Sequence, residues 1–198
     1  ELTQQVRKLL SMVQGPPSGI LNKARALGDL VGIVRTQPKT VSRAPCQEVV
    51  ISGDDVDLNM LPALKCWPMD AGRFITLPLV ISRHPETGRR NVGTYRMQIY
   101  DGRTTGMHWQ THKVGTRHYR ISGERGEDRL PVAVALGADP ATIWTGSAPL
   151  PPDMDEMIVA GFLREDGVDL VKGKTVDLMI PAQAEIVLEG YVVPGEER

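Results

Sequence analysis

Leu2, Val6, Leu9, Leu10 and Val13 recur at helical spacing with Gln5, Arg7 and Lys8 between them, which predicts an amphipathic helix over residues 1–13. Gly15-Pro16-Pro17-Ser18-Gly19 ends it, because consecutive prolines cannot continue the backbone ladder. A second helical stretch is expected over 20–31, followed by a connection at Gln37-Pro38-Lys39. Beyond Ala44-Pro45 the apolar positions switch to period two. They predict strands over 48–52, 74–83, 93–100, 105–113, 131–136, 156–163, 168–172 and 184–193. Pro85-Glu86-Thr87-Gly88 reads as a turn, residues 138–142 as a helix start, and Pro149 to Pro152 as an extended loop. Many short strands with few helices suggest an α+β chain whose centre is a barrel or sandwich. The domain reading is a helical remnant over 1–43 and a β domain over 44–198.

Composition narrows the function more than the fold. The 198 residues are 41% hydrophobic and 24% charged, which excludes collagen, coiled coil and wholesale disorder. Lys and Arg number 23 against 24 Asp and Glu, so no general basic excess is present to hold nucleic acid, and no nucleic-acid partner is expected. Apolar runs such as 158–162 fall far short of the ~20 residues that span a bilayer. No apolar leader opens the chain, and Cys46 and Cys66 lack CxxC spacing. The expected location is cytoplasmic.

Candidate chemistry concentrates in residues 91–119, which carry His108, His112, His118, Trp109, Tyr95, Tyr100 and Tyr119. On a strand, His108, Gln110 and His112 would share one face. A helical HxxxH zinc pair is the rival, although no Glu follows the first His as in HExxH. Satisfied surface histidines are the plain alternative. Asn91 and Arg96 lie five apart, so one site using both requires a bulge or bend, for which Gly93 is the candidate. Glu156 stands at the mouth of the apolar stretch 157–162. Glu185 and Glu189 are four apart, and an exposed strand face opposite Ile186 and Leu188 accounts for them.

Several ordered stretches resemble the UbiD-type decarboxylases, enzymes that use prenylated flavin mononucleotide (prenylated FMN). These are APCQEVV at 44–50, WPMDAGRFIT at 67–76, HPETG at 84–88, NVGTYRMQ at 91–98, GADP at 137–140, AG at 160–161 and PAQAEIVLEG at 181–190. The resemblance implies a split β-barrel of the flavin-reductase kind behind an N-terminal helical segment. It implies Asn91, His112 and Glu156 as ligands of a divalent metal that anchors the cofactor phosphate. Mn2+ or Mg2+ suits such a set, with K+ admitted beside it, since hard ions favour oxygen donors. Thr94, Tyr95, Arg96, His108, Trp109, Gln110, Lys113, Val114 and Glu156 would contact the cofactor. Arg96 would be the catalytic arginine that forks onto the carboxylate of a small-molecule acid substrate. The implied reaction is reversible, non-oxidative decarboxylation of aromatic or α,β-unsaturated acids. The implied partners are a prenylated-flavin synthase as cofactor supplier and further copies of the chain in a homo-oligomer.

The family's proton-donor carboxylate falls in a PEGPxG[DE]-type stretch just beyond AEIVLEG, and the chain reaches Arg198 without one. The expectation is therefore a fragment that lacks turnover on its own, cut from a parent carboxy-lyase. Two other readings stay open: a flavin-binding or flavin-reducing split-barrel module, and a non-catalytic subunit of a decarboxylase complex.

Overall fold

The computed structural model describes residues 34–150 and 154–196; the helices expected over 1–13 and 20–31 lie outside them, as does half of the loop 149–152. Among the described residues, ten strands and three α-helices make an α+β fold, as the sequence led us to expect. The strands are β1 (Lys39–Val41), β2 (Arg73–Ile75), β3 (Leu79–Arg83), β4 (Arg90–Thr94), β5 (Met97–Ile99), β6 (Thr105–Met107), β7 (Leu130–Leu136), β8 (Asp169–Lys172), β9 (Met179–Pro181) and β10 (Ile186–Val192). The helices are α1 (Val114–Glu124), α2 (Pro140–Thr145) and α3 (Glu156–Arg164). Among the described residues the strands form three sheets, ordered β1-β8-β9, β10-β7-β3-β4 and β2-β5-β6, and none closes into a continuous barrel. Among the described residues only β1 and β8 pair in parallel. The parallel strand β1 lies ahead of residue 44, where the helical remnant was expected to end.

The four-stranded sheet is the centre because both of its faces are buried. Leu79, Ile81, Val92, Ala133 and Ala135 pack on one side with Met157 and Ala160 of α3 and with Leu170 and Ile180 of the β1-β8-β9 sheet. Val80, Val132 and Val134 point to the other side, toward Ile75, Met97 and Ile99 of the β2-β5-β6 sheet. Burial on both faces explains why β3 reads as an uninterrupted apolar run. Leu79, Val80 and Ile81 are all fully buried. The β3–β4 hairpin uses the expected turn: Gly88 takes φ +69°, and its N–H donates to the His84 carbonyl at 2.9 Å.

Several expected strands differ from what is found. Residues 48–52 form no strand; Val49 and Val50 are exposed there, and no neighbouring strand offers them a ladder. The stretch 74–83 is two strands broken by Thr76-Leu77-Pro78, since proline has no N–H for the ladder. The stretch 93–100 likewise splits between β4 and β5, which belong to different sheets. The stretch 105–113 leaves the sheet after Met107, and α1 follows from Val114.

Residues 156–163 are helix α3, not a strand. A continuous apolar run carries no period to separate the two. The deciding feature is Asp155, whose carboxylate caps the helix by accepting from the Met157 N–H at 2.8 Å. Gly161 within this helix lies against the chain at Thr36, where a Cβ would come 2.1 Å from the carbonyl oxygen.

Candidate active site

The first part of the site is built at the free edge of β4. The main-chain N–H groups of Val92 and Thr94 point away from β3 and need acceptors. Thr94 donates to the Gly146 carbonyl at the end of α2, at 2.9 Å, and Val92 donates to Glu156 Oε2 at 3.2 Å. Glu156 is the first residue of α3, and a clamp holds that helix end to the strand. Arg90 donates from one nitrogen to both oxygens of Asp155, at 2.9 and 2.7 Å. Asp155 is therefore both helix cap and ion-pair partner, and it sets the height of Glu156 along β4.

Burial pushes the Glu156 carboxyl up to about 7. The N–H bonds from its own backbone and Val92 and the Arg90 charge pull the other way, and the Asp155 charge adds to the rise. A carboxylate left so poorly compensated is suited to a cation. Asn91 lies on the same strand, 5% exposed, with its Nδ2 donating to Tyr95 Oη at 3.4 Å.

The second part is a cleft beside the end of β4. It encloses about 210 Å3 and is lined by Thr94, Tyr95, Arg96, His108, Gln110 and Lys113. β4 ends at Thr94 and β5 begins at Met97, so Tyr95-Arg96 is where the chain passes from one sheet to the next. The bend that Asn91 and Arg96 require lies there, and Gly93 remains inside the regular strand, paired with Val80. The Arg96 carbonyl accepts from the His108 N–H at 2.9 Å, which brings the histidine loop to the arginine. The Arg96 guanidinium is exposed and rests 4.8 Å above the Phe74 ring. Among the described residues, neither Arg96 nor Lys113 has a carboxylate partner.

His108, Gln110 and His112 share no strand face. They lie on an exposed loop that tightens just before α1, where the Lys113 N–H donates to the Gln110 carbonyl at 2.9 Å. His112 is exposed on that loop, and no hydrogen bond joins it to Asn91 or Glu156. Val114 is the exposed first residue of α1. Trp109 packs edge-on against Tyr95 with ring centres 6.0 Å apart, and its buried indole N–H has no hydrogen-bond partner among the described residues. Among the described residues no three His, Cys, Asp or Glu side chains gather as a metal site; the Asn91, His112 and Glu156 set contains only two of those types. Arg90 and Asp155 escaped the sequence reading. Their signal was an aspartate directly ahead of the apolar run, a helix-start pattern.

The other two histidines, His84 and His118, are unrelated to the cleft. His118 of α1 is buried, bonded through Nδ1 to Ser82 Oγ at 2.9 Å, with the His84 ring edge-on at 5.3 Å. Among the described residues, no helix is long and apolar enough to cross a membrane.

Comparison with known proteins bears on the same residues. The UbiD family, described as "3-octaprenyl-4-hydroxybenzoate carboxy-lyase Rift-related domain", matches residues 39–198. An uncharacterized protein of Archaeoglobus fulgidus is 48% identical over 191 residues, covering 96% of this chain and 39% of the relative. One of Aquifex aeolicus is 48% identical over 180 residues, covering 91% of this chain and 37% of the relative. The chain thus spans about two fifths of the length of the curated relatives it matches.

Among solved structures, the UbiD-class enzyme HmfF from Pelotomaculum thermopropionicum in complex with FMN superposes with a TM-score of 0.77 at 32% identity, over 84% of this chain and 38% of that one. An evolved dimeric form of the same enzyme, in complex with prFMN, matches at 33% identity with a TM-score of 0.77, over 85% and 40%. The apo 3,4-dihydroxybenzoic acid decarboxylase AroY of Klebsiella pneumoniae gives a TM-score of 0.73 at 29% identity, over 88% and 38%. With the matched region running from β1 through β10 and carrying both the β4 edge and the cleft, this chain belongs to the UbiD family.

Proposed function

We propose that this chain is the cofactor- and metal-binding core of a prenylated-FMN-dependent carboxy-lyase acting on aromatic or α,β-unsaturated carboxylic acids. One observation carries the reading. A single strand end, residues 91–96, serves both a buried amide and carboxylate at Asn91 and Glu156 and an open cleft whose two cations, Arg96 and Lys113, have no carboxylate partner among the described residues. The likeness to HmfF bound to FMN and to prFMN supports a flavin in that cleft.

Asn91, His112 and Glu156 would hold Mn2+ or Mg2+, one amide oxygen, one imidazole and one carboxylate leaving further positions for phosphate oxygens. The ion offsets the Glu156 charge that burial disfavours, and it gives a chain of formal net charge −1 a way to grip a phosphate. Thr94, Tyr95, His108, Trp109, Gln110, Lys113 and Val114 would surround the ring and phosphate. When bound, prenylated FMN supplies the sink for the electrons left by departing CO2. Arg96 is the catalytic residue on this chain: its planar fork holds the substrate carboxylate in two parallel hydrogen bonds and orients the bond to be broken. The Phe74 ring beneath the guanidinium limits its sweep. The remainder of the parent protein, in a homo-oligomer, supplies the proton donor and the outer wall of the cleft.

The test is co-expression of the full-length protein with a prenylated-flavin synthase, followed by a screen of aryl and acrylic acids for CO2 release. Release is expected for at least one acid. Arg96→Lys should keep the flavin absorbance and lose most turnover, because an ammonium cannot reproduce the fork. Turnover of that variant within twofold of wild type would remove Arg96 from the reaction. Flavin retention with no CO2 release from any acid would turn the reading to a flavin-binding module.

A further inference from the structure

Asn91 and Tyr95 should not meet. Four residues along a strand separate their α-carbons by about 13 Å, and a tyrosine standing off the sheet points away from its own strand. They meet because the Tyr95 ring lies back along β4 across Gly93, where a Cβ would come 2.5 Å from both Cζ and Oη. The missing side chain of Gly93 is thus a cradle for the phenol and not the hinge of a bulge. In that position Tyr95 Oη accepts from Asn91 Nδ2 at 3.4 Å and from the Gly115 N–H, in the first turn of α1, at 3.3 Å. Gly115 is held to this approach from the other side, since a Cβ there would come 2.7 Å from Trp109 Nε1. Asn91 and Tyr95 are 5% and 6% exposed, so water does not take over these bonds.

We propose that Tyr95 is a positioning residue that fixes the Asn91 amide, taking its nitrogen and thereby turning its oxygen toward the cation. The proposal rests on the metal reading above. The two ends of an asparagine amide are nearly the same shape, yet only the oxygen can ligate a cation. A buried amide nitrogen needs an acceptor when its oxygen is committed elsewhere, and Tyr95 Oη is that acceptor. Without the phenol oxygen the Gly115 N–H also loses its acceptor. Partners of this kind behind a metal ligand commonly change metal affinity by roughly 10- to 100-fold.

The experiment uses the full-length protein with equimolar FMN, titrated with Mn2+ and read by the electron paramagnetic resonance signal of free Mn2+. Tyr95→Phe should weaken Mn2+ uptake about tenfold. In an Asn91→Asp background the same change should cost less than twofold, because a carboxylate presents oxygen at either end. Equal Mn2+ affinity in wild type and Tyr95→Phe would overturn the proposal. So would an equal loss in both backgrounds, which is the behaviour of a residue that only supports the fold. If wild type takes up no Mn2+, the metal reading itself falls, and the positioning role with it.

Discussion

Glu156 and Glu189 are the same residue type, both partly buried and both bonded to main-chain N–H groups, yet they are driven in opposite directions. Glu189 of β10 faces a turn at 173–176. Its two oxygens accept from the N–H groups of Lys174, Thr175 and Val176 and from the Thr175 hydroxyl. Burial alone would raise its carboxyl, but the Thr175, Lys174 and Val176 donors outweigh it and hold it below the usual glutamate range. Glu156 has burial of the same sign with fewer donors to oppose it, and it rises to about 7. Glu189 is therefore saturated within the chain, whereas Glu156 has been desolvated without being neutralised. The difference separates a carboxylate that closes a turn from one whose charge the chain leaves uncompensated, as the proposed cation site requires.

The sharpest way to break this contrast is Glu156→Gln in the full-length protein. Loss of a direct ligand should exceed the roughly 100-fold effect of a supporting residue on metal affinity. Metal and flavin content should fall together, read by elemental analysis and by absorbance of the purified protein. The metal-free variant should melt no lower than wild type at pH 8, because glutamine can still accept from Val92 and no longer carries a charge that burial penalises. Unchanged metal content would remove Glu156 from the metal site. A large drop in the melting temperature of the metal-free protein would show that its charge is already compensated, as that of Glu189 is.

A second closed cluster extends the comparison to the histidines. His118, beneath Ser82 and against His84, is held down to about 4, chiefly by burial and then by the charges of His84 and Arg117. The ordinary value is 6.5, so between pH 6.5 and about 4 the unfolded chain binds a proton that the folded one refuses. Stability present above pH 6.5 is lost as the pH falls through that window, by about 3 kcal/mol. Because the raised Glu156 carboxyl contributes with the opposite sign as the pH falls below about 7, urea unfolding at a series of pH values should show this loss in the difference between wild type and His118→Asn. A difference between wild type and variant that stays flat across the window would mean that His118 is not held neutral.

These clusters also show why the sequence was legible in some places and silent in others. The strands β3, β7 and β8 were readable because their apolar residues are buried as apolar residues should be, and β10 because Val187, Leu188 and Val192 pack, partly buried, against the core. Helix α1 was missed because its buried stripe is Gly115, His118 and Ser122, small and polar groups that leave no hydrophobic period, and because Lys113 offers no capping side chain. Helix α3 failed for the converse reason, an apolar run too uniform to show any period. The residues later found around the cleft came into view through family motifs and not through periodicity, since the loop at 108–112 has no repeating geometry. What no motif could supply was the relation among residues: the Arg90–Asp155 clamp joins positions 65 apart, and the fold of Tyr95 over Gly93 depends on a side chain that is absent. Glu189, read as part of an exposed face, is tied down by a turn that offers three main-chain donors, which leave no trace in residue identity, beside the Thr175 hydroxyl.

The smallest expected effect tests the saturated side of the comparison. Glu189→Gln keeps one acceptor oxygen but turns an amide NH2 toward donors that need an acceptor. Each lost bond is worth about 1 kcal/mol. Partial exposure lets water replace some of the loss, so the net cost should be about 1–2 kcal/mol at pH 7. The dependence on pH has a definite sign. The carboxylate's contribution is complete above its unfolded value of 4.5 and fades as the pH drops through its lowered folded value, so the gap between wild type and variant should close in acid. Flavin and metal content should not change, since the turn at 173–176 contributes nothing to the cleft. Were Glu189→Gln to lose cofactor as Glu156→Gln does, the division of the two glutamates into a structural and a ligating one would be wrong, and the 173–176 turn would have to be counted as part of the site.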